Sequence, residues 1–597
     1  MLTRRAFALA IGAALSLSSG AFAASTPAAA PAHAAATPEW IQRSNADAQP
    51  LLKVLGDFAP EFAARTGVKG YDDKVTTLPL DQNEKFRKAM GEARSGLQAK
   101  LADEKDAQVQ QDLKIMIEAA TLQIDTSVIN EKYLLPYTNV GQTIFFGEFN
   151  LLGDQVDAKR RPSALTRLKR YTGLEKGYTP LTDQAKAQFE AVMSNTSLLG
   201  PVKAQVEQDL GNTASYVDGI RKLYAKYKIG GADTALDALA AQLKDYDEWV
   251  KSTVMPRARD DFRLPPDLYA DNLKNVGLDI APDALIAKAE LAYGEIRNEM
   301  QAIAPLVAKD HKLSVTDYRD VIRALKKEQM PRDKIEPTYH DVIGNIEGII
   351  RRENIITLPD RAMIMRIASD AETAAQPAPH MDPPPLIGNK GERGTFVLTL
   401  GNPTTGGSAE SYDDFNHPYA AWTLTAHEGR PGHELQFTAM VERGVSLARS
   451  LFAFNSVNVE GWALYSEAEM KPFEPLDGQL FALQARLQRA ARAILDPMLN
   501  LGRISKERAN EVLVEEVVLS PAYARQEIDR YTFRAPGQAT SYFYGYTKLM
   551  ELRADTEIKL GKKFNRKAFN DFVVNQGLLP PALLREAVET SFIPSQK

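Results

Sequence analysis

The chain has 597 residues, 44% of them hydrophobic and 25% charged, with a formal net charge of -5. That is a globular composition, long enough for a large core and more than one lobe, and it shows no basic block of the kind a nucleic-acid surface needs. Cysteine is absent, which excludes disulfides, thiolate catalysis and a cysteine-linked lipid anchor, and leaves His, Asp and Glu to hold any metal.

Residues 1–23 read as a targeting segment. Arg4 and Arg5 precede an apolar stretch from Ala6 to about Leu17, and Ala21-Phe22-Ala23 fits a small-x-small cleavage site. Thr3-Arg4-Arg5-Ala6-Phe7 resembles a twin-arginine signal, a route for folded proteins, with a Sec signal as the alternative. Either predicts a periplasmic or otherwise exported protein. The stretch is short and interrupted by Gly and Ser, and no later segment is long and apolar enough to span a bilayer. The Ala/Pro-rich residues after it read as a linker, taken to run over 24–44.

Helical periodicity dominates from there. The stretches Lys85 to Tyr133, Pro201 to Tyr227 and Ala232 to Val254 read as helices. Pro282 and Asp283 open another, with an apolar stripe of Ile286, Tyr293, Ile296, Met300 and Ile303 that predicts core packing. Pro256 and Pro265-Pro266 interrupt the pattern, so an N-terminal helical lobe is placed at 45–264 and a C-terminal catalytic lobe at 265–597. Residues 376–394, rich in Pro and Gly, read as a loop, and Thr395 to Leu400 as the best strand candidate. The fold class is therefore mainly α, with a small β element just before the chemistry-bearing helix.

That helix begins near Pro418 and carries Thr425-Ala426-His427-Glu428-Gly429-Arg430-Pro431-Gly432-His433-Glu434. In an HExxH zinc motif the histidines are four apart and share a helical face, and the glutamate activates a water. Here His427 and His433 are six apart, roughly 240° around a straight helix. Pro431-Gly432 breaks the regular helix, and a two-residue bulge there would return His433 to the face of His427. Glu434, seven from His427, is the rival ligand. A third ligand is needed, and Val459 to Met470 offers Glu460 and Glu467, seven apart on one face. Either completes a His₂Glu site; the bland alternative is an exposed acidic helix. Such donors favour zinc, though cobalt and manganese also accept them.

HEGRPGHELQ, EGWALYSE, Asp529-Arg530-Tyr531 and Pro536-Gly537-Gln538-Ala539 together resemble the DUF885 family, in motif order over roughly residues 45 to 595. The resemblance implies a zincin-like, mostly helical fold and a gluzincin-type zinc metallopeptidase. It implies one Zn2+ held by His427, His433 and Glu460, with Glu428 as general base and Glu467 orienting a ligand histidine. Two departures stand out. Many relatives carry a second histidine where this chain has Glu434, and a histidine where it has Asn500 in Asp496-Pro497-Met498-Leu499-Asn500.

Downstream, Tyr542 and Tyr546 are four apart, and either is a candidate phenolic donor to a developing oxyanion. Arg530 and Arg534 are candidates to pair with a substrate carboxylate, which would favour exopeptidase action. The leading expectation is hydrolysis of short peptides. The alternatives are a zinc hydrolase of another amide or ester, and a catalytically impaired binding protein that keeps the fold, a reading that only Asn500 favours.

Overall fold

A computed structural model describes residues 37–403 and 409–596. The expected targeting segment and most of the expected linker lie outside them. Residues 39–44, assigned to the linker, are helical: Glu39–Asp47 forms a helix whose Ile41 and Ser44 are buried. Among the described residues no helix is long and apolar enough to cross a membrane.

The protein is built mostly of α-helices. The stretch from Lys85 to Tyr133 is two helices, Gln82–Asp103 and Ala107–Tyr133. Asp106 separates them because its side chain accepts from the amides of Gln108 and Val109, satisfying the first turn of a new helix. The helices used below are α1 (Val140–Phe149), α2 (Lys203–Lys226), α3 (Pro282–Asp310), α4 (Pro418–Glu428), α5 (His433–Arg443), α6 (Ser456–Met470), α7 (Leu476–Asn500) and α8 (Thr540–Leu560). On α3, most of the predicted stripe faces the core: Ile296 and Met300 belong to it, Tyr293 and Ile303 pack against it, and Ile286 is buried.

The β element is small. Strands β1 (Ile364–Ile367), β2 (His380–Asp382) and β3 (Thr395–Leu398) form one sheet in the order β1-β3-β2. β1 runs parallel and β2 antiparallel to β3. The strand expected at Thr395 is thus its central member, and the expected loop before it contributes β2. All four β3 residues are buried, which is why this strand reads as an unbroken β-prone run rather than an alternating one.

The apolar core has two parts. The larger joins residues 48–120 with residues 269–593. The smaller holds residues 135–254 together with Leu78 and Ala371, Ala374 and Ala375. A cavity of about 660 Å³ lies between them, lined from the smaller side by α1 and α2 residues such as Gln142, Phe146 and Gln208, and from the larger by α4, α6, α7 and α8.

Candidate metal centre

His417 opens α4 by accepting from the amide of Ala420, and Pro418 takes the first helical position, where its missing N–H costs nothing. The helix ends at Glu428. Gly429 still donates to the Thr425 carbonyl at 2.9 Å, then the chain leaves the helical path and restarts as α5 at His433. The expected bulge is therefore a full break between two helices. Gly432 is required there: a Cβ on it would lie 2.0 Å from the His427 carbonyl oxygen and 2.4 Å from that of Ala426.

Two side chains hold the break. Trp462 on α6 donates from Nε1 to the Pro431 carbonyl at 3.0 Å. Arg430 donates from Nε to Glu434 at 2.6 Å and from Nη1 to Glu347 at 2.8 Å. Glu434 also accepts from Thr438 at 2.8 Å. Its carboxylate is thus committed to bracing the break, so the rival-ligand role does not apply to it.

The break brings the His427 and His433 rings to 4.8 Å between centroids, nearly perpendicular. Glu460 Oε2 sits 3.5 Å from His427 Nε2 and 3.3 Å from His433 Nε2. One ligand atom from each of the three residues lies within 4.8 Å of the others, and all three residues are buried. Glu460 Oε2 has no hydrogen-bond partner. Burial works to raise the Glu460 carboxyl, but the two imidazoles hold it well below the usual carboxylate range. A buried carboxylate facing two imidazole nitrogens, with an oxygen left unsatisfied, is the donor set a divalent cation of the zinc type takes.

The supporting residues are distinct from the triad. Glu467 lies two turns along α6. Its Oε1 is 2.6 Å from His427 Nδ1, and its Oε2 accepts from Thr423 at 2.9 Å. Taking up Nδ1 fixes the ring and leaves Nε2 turned to Glu460. Glu428 lines the cavity with its Oε1 3.9 Å from His427 Nε2. Burial pushes the Glu428 carboxyl up to about 8, with His433 pulling it down and Glu460 adding to the rise.

The family model for bacterial proteins of unknown function, DUF885, matches residues 60–588. The chain belongs to the DUF885 family. In fold it is similar to a putative lipoprotein from Colwellia psychrerythraea, at TM-score 0.75 and 18% identity, covering 93% of this chain and 99% of that one. It is also similar to a putative lipoprotein of unknown function from Shewanella oneidensis, at TM-score 0.68 and 21% identity, covering 93% and 100%. No curated protein matches.

In this DUF885 member a second wall of the cavity faces the triad. The helices α6 and α8 meet backbone to backbone at Gly461 and Gly545, where a Cβ on Gly461 would lie 2.5 Å from the Gly545 carbonyl carbon. That closeness seats Tyr542 with its ring stacked 6.1 Å from His427. Its Oη accepts from Arg530 Nη2 at 2.7 Å, which leaves the phenolic proton free to be donated. Tyr546 is placed elsewhere. It lies one turn further along α8, with the Arg486 guanidinium 5.1 Å over its ring, and does not line the cavity. Its expected oxyanion role is dropped on that geometry. Arg534 reaches across to Gln208 on α2.

Asn500 also lies outside the cavity lining. Its Nδ2 donates to the Asp496 and Tyr531 carbonyls at 2.9 and 3.0 Å. Asp496 in turn accepts from the Gly537 amide and Tyr269 Oη. Asn500 thus ties α7 to Tyr531, and Asp496 ties it to Gly537, so Asn500 gives no geometric ground for impaired catalysis.

The sequence reading missed Arg489 and Arg492, which line the cavity from α7. For Arg492 a signal was present. Gln484, Gln488, Arg492, Asp496 and Asn500 recur every four residues along a helix otherwise rich in Leu and Ala. Such a polar line on a helix with buried apolar faces marks a side turned to something other than core.

Proposed function

We propose that this chain is a zinc-dependent metallopeptidase acting on short peptides. The observation that carries the reading is the placement of Glu460 Oε2 between the two Nε2 atoms, with Glu467 on His427 Nδ1 and Glu428 alongside in the cavity. His427, His433 and Glu460 would hold the ion. When bound there, zinc supplies Lewis acidity, lowering the pKa of a water and polarising a carbonyl.

The chain's own groups do the rest. Burial raises the Glu428 carboxyl, and a cation held by His427, His433 and Glu460 would favour its ionised form; as a carboxylate Glu428 takes the proton of the attacking water and gives it to the leaving amine nitrogen. Tyr542, held through its Oη by Arg530, donates its phenolic proton in a hydrogen bond to the carbonyl oxygen as charge builds there. Glu467 keeps the His427 ring from rotating. The cavity of about 660 Å³ suits an oligopeptide end rather than a folded chain. The proposed compartment is the periplasm, supported by the first 23 residues and by the lipoprotein description of the two structural neighbours.

The test is elemental mass spectrometry of purified protein beside peptide turnover. We expect about one zinc per chain, lost in His433→Ala. Glu428→Gln should keep its zinc and lose turnover by roughly 10²- to 10⁴-fold. An active Gln variant, or wild-type protein that takes up no zinc on addition, would remove the reading.

A further inference from the structure

The wall beside the triad carries three arginines whose donors are not all taken up. Arg489 and Arg492 are 8% and 3% exposed, and Arg530 joins them over one ring. Their guanidinium carbons lie 5.9, 4.5 and 5.1 Å from the centre of Tyr542. Two carboxylates contact these three cations directly, and Glu460 and Glu428 face Arg530 and Arg489 from the triad. Glu527 takes Arg492 Nε and Nη2 at 2.6 and 2.7 Å and stands 3.6 Å from Arg530 Nη1. Glu467 lies 3.3 Å from Arg489 Nη2 but is already committed to His427 and Thr423.

Two donors in this cluster are unspent. Arg489 Nε and Arg492 Nη1 are buried without a hydrogen-bond partner, and both residues line the cavity. Leaving a charged donor unpaired in a buried place is costly. Buried guanidiniums of this kind are suited to a planar carboxylate, which accepts from two donors at once. The cluster stands beside the triad: Arg489 contacts Glu467, and Glu467 contacts His427.

We propose that Arg489, Arg492 and Arg530 form an anion subsite that holds the free C-terminal carboxylate of a peptide, so that the chain removes residues from the C-terminus. A terminal carboxylate is one residue, about 3.8 Å from Cα to Cα, from the last peptide bond. Gripping it sets that bond against Glu428 and Tyr542. Water adds across the bond. Its oxygen joins the acyl carbon, the C–N bond breaks, and the nitrogen leaves with the proton that Glu428 carries. The products are an amino acid, its carboxylate on the arginines, and a peptide one residue shorter. The proposal rests on the metallopeptidase reading and adds the end of the substrate that it recognises.

N-acetylated tetrapeptides made as free acids and as C-terminal amides test it with zinc-loaded wild-type protein, products being read by mass spectrometry. Free acids should lose their last residue, and amides should react at least about 100-fold more slowly in kcat/KM. Equal rates, or cleavage at internal bonds, would overturn the subsite while leaving the metallopeptidase reading standing. Calorimetry on zinc-loaded Glu428→Gln measures binding apart from turnover. The free acid should bind about 10-fold or more tightly than the amide, and Arg489→Gln should erase that preference. Equal affinity for acid and amide overturns the subsite even if no peptide is cut; failure of every peptide to react, with the binding preference intact, tells against the peptidase reading alone.

Discussion

Two fully buried carboxylates in the larger core meet opposite surroundings. Asp112 joins the N-terminal helices to the C-terminal ones. Its oxygens accept from Ser44, Ser446 and Arg449 at 2.6, 2.6 and 2.7 Å. Glu460 is also buried but faces two imidazole nitrogens, with Oε2 left without a hydrogen bond among the described residues. Donors satisfy the first within the chain; the second is left with an oxygen of the kind a cation would satisfy. Glu148 in the smaller core shows a third outcome. It has one close donor, Tyr224 at 2.8 Å, and burial pushes its carboxyl up to about 8. It answers burial by keeping a proton. The chemistry of the partners, rather than burial or sequence context, separates a strut from a ligand.

The contrast can be broken most sharply at Glu460 itself. Glu460→Gln should abolish stoichiometric zinc and, with it, turnover, while the metal-free protein keeps its thermal midpoint within a few degrees. A variant that still holds zinc would place the third ligand elsewhere. Asp112→Ala should do the reverse. It strands the buried Arg449 guanidinium and should cost roughly 3–5 kcal/mol of stability, read by denaturant unfolding, with zinc content of the folded fraction unchanged. Loss of zinc in that variant would show that the two regions are coupled.

Glu467→Gln is gentler. The amide can still contact His427 Nδ1 but no longer anchors it as a charge, so zinc affinity should fall by about 10- to 100-fold, measured by competition with a chelator. Unchanged affinity would reduce Glu467 to packing. A further effect is in pH. The native pKa of Glu148, about 8, lies above its ordinary value of 4.5, so the folded state binds the extra proton between those values. Its contribution therefore makes stability fall as pH rises from about 4.5 to 8 and level off above. Glu148→Gln should flatten the thermal midpoint between pH 5 and 8 relative to wild type. Parallel profiles would mean that the carboxyl titrates normally.

Much of the candidate site was legible because it is local. His427-Glu428 and His433 fall within seven residues, and Pro431-Gly432 announces that the helix cannot run straight through. By spacing Glu460 and Glu467 were legible only as a pair on one face; it was the family resemblance that divided their roles. They stand two helical turns apart, about 10.5 Å along the axis, and which one meets Nε2 depends on where α6 crosses α4. Tyr542 and Tyr546 posed the same problem and resolved the same way, one onto His427 and the other under Arg486.

Glu434 was harder still, because its partner Arg430 is positioned by the break and by Glu347 on a helix, Arg332–Arg352, distant in sequence. The helical character of the long stretches, the strand at Thr395 and an interruption at Pro431-Gly432 followed from the sequence by itself, since periodicity, β-branched runs and Pro-Gly act over a few residues; that the interruption is a full break starting after Glu428, and that Lys85 to Tyr133 is two helices, did not. The division of the core, the cavity between its parts and the arginine wall on α7 came only with tertiary structure. There the deciding quantities are distances between side chains that lie tens to hundreds of residues apart, and no local rule of backbone chemistry fixes those.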